Sequence, residues 1–153
     1  MNRNDYLRLL QQHDDPVHWE VPGGWESYDY KKAFASFQLF AKEIEITFEE
    51  KCKVEYGSTI QDASFIGQVF LPVRCSESQS SYVCLRISYF GNFSAARVIY
   101  SEEKSLPSCE DLIKKVSQEH GYIFIPMEVL HEPYTGKLHL IEPTWWNRFF
   151  NYM

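Results

Sequence analysis

Cysteine and histidine are the side chains in this sequence whose placement could do chemistry. Cys109 stands in "SCEDLIKKV", where the pattern predicts the first turn of a helix, and a helix N-terminus favours the reactive thiolate. With His131 or His139 as base it would form the core of a cysteine-dependent enzyme. His131 and His139 also flank the turn "EPYTGK", so the two rings could meet across a hairpin beside Glu132, as in a two-histidine, one-carboxylate metal site. Neither set brings a supporting motif. His13, His18, His120, His131 and His139 include no H-x-x-x-H pair, and Cys52, Cys75, Cys84 and Cys109 include no C-x-x-C. Zinc ligands usually come in close pairs, so no metal and no cofactor are expected and the thiols should be free. Glycine-rich phosphate loops and the G-x-S-x-G elbow are absent too, and "SEEK" at Ser101–Lys104 is too short a pattern to signify alone.

The elements that would position these residues read as one α+β domain over residues 1–153. A short helix is expected through His13, capped by Asn4 or Asp5, with Tyr6, Leu9 and Leu10 on one face. From about Asp29 a long helix follows, with Ala33, Phe37, Phe40, Ile44 and Phe48 on one stripe and Lys31, Lys42, Glu45, Glu49 and Lys51 as solvated charges. Three apolar runs then predict strands. "ASFIGQVFLPV" puts Ala63, Phe65, Gly67, Val69 and Leu71 on one side, and "YVCLRISYF" groups Val83, Leu85, Ile87 and Tyr89. "FSAARVIY" is the third, joined to the second by Gly91-Asn92, a two-residue hairpin signal. The polar "CSESQSS" between the first two reads as an exposed loop. A second, shorter helix is capped by Ser108 and ends before Gly121, with Leu112, Ile113 and Val116 buried and His120 at its negative end. "YIFIP" and "EPYTGKLHLIEP" add extended segments. The expected fold is an antiparallel sheet of three to five strands packed on the long helix and the shorter one.

Aromatic content is the outlier in composition: four Trp, ten Tyr and eleven Phe make 16% of the chain. Rings bury large areas and also anchor interfaces. At the C-terminus, "TWWNRFFNYM" segregates on a helical wheel of about 100° per residue. Trp145, Phe149 and Tyr152 fall beside Trp146, Phe150 and Met153, opposite Asn147, Arg148 and Asn151. A helix capped by Thr144 is expected, with its aromatic face either sealed against the core, the leading reading, or held out for a partner.

The formal net charge is −6, and much of it gathers near the start, where Asp5, Asp14, Asp15, Glu20, Glu26 and Asp29 outweigh Arg3 and Arg8. That balance disfavours nucleic acid and anionic membranes and favours a basic partner. No run approaches a membrane span and the start lacks the apolar stretch of a secretory signal, so a cytoplasmic protein is expected. "DDPVHWEVPGGWES" can only be loop, with two prolines and a Gly pair. It combines charge with aromatic anchors, so Asp14, Asp15, Trp19, Glu20 and Trp25 are the candidate partner-binding residues. The tryptophans should be held against the body rather than left wet.

"DASFIGQVFLP", "LRISYFGN" and "TWWNRFFNYM" together resemble the small cytosolic immunity proteins of bacterial polymorphic-toxin systems. The likeness lies in size, acidity and general texture. It implies an antitoxin-type protein that binds and neutralises a cognate toxin, and no toxin-contacting residue transfers with it. A non-catalytic protein-binding domain is therefore the leading expectation. A domain enclosing an apolar or aromatic ligand among its rings is the first alternative, and the Cys109 enzyme is the second.

Overall fold

The computed structural model describes residues 1–57, 65–76, 79–99, 109–138 and 144–151. The fold is α+β. Its elements are α1 (Arg3–His13), α2 (Tyr30–Phe48), β1 (Lys53–Tyr56), β2 (Phe65–Ser76), β3 (Gln79–Ser88) and β4 (Phe93–Ile99). After them come α3 (Glu110–Glu119), β5 (Ile123–Phe124), α4 (Met127–Leu130) and α5 (Trp145–Phe150).

The strands form one five-stranded sheet in sequence order. β2 to β4 form the expected antiparallel meander and β1 adds an antiparallel edge strand beyond it, but β5 runs parallel to β4, so the sheet is mixed. A parallel neighbour cannot be reached by a hairpin; it needs a crossover, and α3 lies on that connection. The β3–β4 connection spans four residues, 89–92, longer than the two-residue link expected. Gly91 and Asn92 do make its turn, at φ of 60° and 53°, closed by the Phe93 N–H donating to the Phe90 carbonyl at 3.2 Å. β2 and β3 run further into "CSESQSS" than the loop expectation allowed, leaving Glu77 and Ser78 outside the described residues.

One face of the sheet receives α2. Val69 and Leu71 of β2 and Val83, Leu85 and Ile87 of β3 are buried there beneath Phe37, Phe40, Ala41 and Ile44. Gly67 permits this closeness, because a Cβ there would collide with the Phe37 ring. Glu45 is not simply solvated, since its carboxylate accepts a hydrogen bond from the Cys52 N–H at 3.0 Å. With Glu50 it adds negative charge to burial and pushes the Cys52 thiol up to about 11. α3 begins with Cys109 in the cap position, and Ser108 lies outside the described residues. Ile113, Val116 and Ser117 form its buried stripe, while Leu112, expected inside, is exposed.

The opposite face is also covered. Phe65 belongs to it, contrary to the simple alternation, because Phe65 pairs with Ser88 and Gly67 with Ile87. Ile66 is the extra residue of that bulge, and one extra residue reverses the facing of everything beyond it. α5 lies on this side: Trp145, Trp146, Phe149 and Phe150 are all buried, stacked in the pairs Trp145–Phe149 and Trp146–Phe150. Thr144 caps the helix reciprocally with Asn147, which supports so short a segment. The aromatic tail is a seal. Tyr152 and Met153, assigned to the same face, lie outside the described residues, as does Ala63. α1 is capped by Asn2 in a reciprocal pair with Asp5, not by Asn4 or Asp5.

Candidate functional site

Arg148 stands on the polar side of α5, yet none of its side chain is exposed. The loop after α1 closes over it. The guanidinium stands over the Phe90 ring at 4.3 Å and near Phe149 at 5.2 Å, and its N–H groups turn to the loop. Nε donates to the Asp14 carboxylate at 2.6 Å, and Nη1 to the Trp19 carbonyl at 3.1 Å. Nη2 donates to the carbonyls of Asp15 and His18 at 3.0 and 3.2 Å. One fork thus holds three backbone carbonyls of the loop, a task that suits a planar five-donor group. Asp14 also accepts from the Tyr134 hydroxyl at 2.5 Å, and burial together with that carboxylate pushes the Tyr134 phenol up to about 12. Gly136 is packed so closely on the pair that a Cβ there would clash with both groups.

Asp15 fastens the same loop from within. Its carboxylate accepts from the backbone N–H of Val17, His18 and Gly23 and contacts the His18 ring at 2.8 Å. Burial alone would raise its pKa; the backbone hydrogen bonds and the His18 contact outweigh that and hold it well below the usual carboxylate range. Gly23 and Gly24, at φ of 72° and 84°, make the reversal that returns the chain.

The five residues singled out from the sequence therefore separate. Asp14 and Asp15 face inward and are occupied with loop structure. Trp19 and Trp25 remain 44% and 46% exposed, wetter than the sequence suggested, with Val17 beside them at 72%. The Trp25 indole N–H donates to the Glu20 carboxylate, and its ring meets the edges of Tyr28, Tyr30 and Tyr89 at 6.3, 6.1 and 5.3 Å. One side of Trp25 is thus docked and the other is open. Glu20 and Glu26 supply exposed negative charge around these rings. The result is an ordered loop presenting indole surface with an acidic rim.

Cys109 is half-buried at the start of α3 and His131 is exposed after α4, while His139 lies outside the described residues. Among the described residues no group of three or more His, Cys, Asp and Glu could hold a metal, and no helix is long and apolar enough to cross a membrane.

A second region escaped the sequence reading. Beyond the edge of α5, the sheet face opens into a cavity of about 490 Å³ lined by Gln68, Phe70, Cys84, Arg86, Arg97 and Ile99. Lining residues spread over three strands between Gln68 and Ile99 carry no local signal of such a cluster. No protein-family model, curated protein or solved structure matches this chain.

Proposed function

We propose that the chain is a non-catalytic protein-binding domain of the immunity or antitoxin type, and that the loop bearing Trp19 and Trp25 meets the partner. The observation that carries this is the buried Arg148, whose donors fix the backbone of a loop that leaves two indoles half open. A loop ordered before binding gives up little conformational entropy in the complex, so rigid aromatic anchors yield most of their contact energy as affinity. Burying such a ring in a partner's pocket is the usual origin of an interface hot spot. The acidic rim of Glu20 and Glu26 suits a partner with basic residues around that pocket and would speed their encounter.

The test is co-purification from the native host with tagged wild-type chain and a Trp19→Ala variant. A specific protein should be recovered with wild type, release progressively with salt, and bind the variant about 30-fold more weakly or worse, the factor for a loss of about 2 kcal/mol. Equal recovery by Trp19→Ala would remove the loop from the interface. A chain that recovers nothing would remove the binding function.

A further inference from the structure

We propose that the open part of the sheet face binds an oxyanion, carboxylate or phosphate, between the guanidinium groups of Arg86 and Arg97. Register brings the two together. Cys84 pairs with Arg97 and Arg86 with Ala95 across β3 and β4, so the arginines are diagonal neighbours on one face. Diagonal cross-strand neighbours lie about 7–8 Å apart, close enough for like charges to repel and for one anion to bridge them. In a chain of net charge −6, a pair of cations side by side on a strand face needs a reason.

Both groups are already oriented. Arg86 lies 5.4 Å and Arg97 5.2 Å from the Trp146 ring centre, so one indole stabilises both cations. Arg86 also covers Phe65 at 4.3 Å, and its Nε donates to the Gln68 side-chain oxygen at 3.0 Å. Its Nη1 donates to the Phe150 carbonyl at 2.7 Å and the Asn151 side chain at 2.9 Å. Arg97 is exposed, and among the described residues no carboxylate forms an ion pair with it. A planar fork on a preset stem is the usual receptor for carboxylate and phosphate oxygens.

The cavity has the size of a small-molecule site, which typically spans about 300–1,000 Å³. Phe70 and Ile99 offer apolar wall, so the oxyanion should be carried on a small apolar body. Glu55 stands nearby, accepting from Gln68 Nε2 at 2.7 Å and paired with Lys53. Burial would raise Glu55, but the Gln68 hydrogen bond, Lys53 and the charge of Arg86 lower it, so it stays ionised and limits the negative charge the site accepts. This site shares no residue with the tryptophan loop and stands or falls separately from it.

Titration of the full chain with inorganic phosphate and, separately, with benzoate, at ionic strength held constant with chloride, tests the site. At least one should raise the Tm saturably. Arg97→Gln should weaken that ligand by about tenfold or more, as expected for a charged hydrogen bond, and Arg97→Lys should restore part of it. Arg8→Gln, an exposed arginine elsewhere, should bind like wild type. Saturation by phosphate alone assigns a phosphate ligand; saturation by benzoate assigns a carboxylate with an apolar body. No saturable shift beyond the chloride control, or unchanged binding by folded Arg97→Gln, would overturn the proposal.

Discussion

Two arginine centres sit on either side of α5, and the contrast between them organises the molecule. Both place guanidinium groups against aromatic rings of that helix. At the first, Arg148 is wholly enclosed, with a carboxylate and three carbonyls taking its donors. At the second, Arg86 is held by Gln68, Phe150 and Asn151, and both it and Arg97 line an open cavity. Covering decides between the two outcomes. A buried cation is tolerable only when its donors are satisfied and its charge is matched, so the loop and Asp14 had to close over Arg148 together. Arg97 keeps its water and needs no such closure. The first centre builds a surface, and the second is available to be one.

The largest effect should come from breaking the closed centre. Arg148→Met leaves Asp14 buried beside an apolar group and three loop carbonyls without a donor. A loss of about 3–5 kcal/mol in urea unfolding is expected, with Trp fluorescence shifting as the loop detaches. A double change that also makes Asp14→Asn should recover part of it; a loss near zero for Arg148→Met would dissolve the contrast.

Arg86→Met should cost less, about 1–3 kcal/mol, because it forfeits charged hydrogen bonds to Phe150, Asn151 and Gln68 at a site water can reach. Arg97→Gln should stay within about 0.5 kcal/mol of wild type. Equal losses for these two would mean that both are structural.

The smaller effect is one of pH. A carboxyl whose folded pKa lies below its unfolded value, about 4, stabilises the fold above that value and loses this contribution as pH falls toward the folded one. Asp15 is such a group. The urea midpoint should therefore drop on acidification from about pH 5 to about pH 2, and Asp15→Asn should flatten that slope. An unchanged slope would separate the loop's order from its aspartate.

Legibility follows the range of the interactions. The Thr144 cap, the Gly91-Asn92 turn and the apolar stripe of α2 depend on residues a few positions apart, and each was readable. β1 was missed, because "KVEY" is four residues long and borrows its order from pairing with β2. The facing of Phe65 was misjudged because a bulge is set by the partner strand. Of the candidate site, the loop and its two tryptophans were legible as charge and rings without regular structure. The inward duty of Asp14 was not, since its reason lies more than a hundred residues away in Arg148 and Tyr134.

Sequence alone determined α1, α2, α3 and α5 and the meander of β2 to β4, because periodicity and turn chemistry act within a few residues. That the aromatic face of α5 is a seal was decided by tertiary packing. Tertiary structure alone decided that Arg148 would be dry and Arg97 wet, that two aspartates would turn inward while two indoles stayed half open, and that two arginines would stand as neighbours. A side chain's charge is written in the chain, but its cost or use depends on which distant groups exclude water from it.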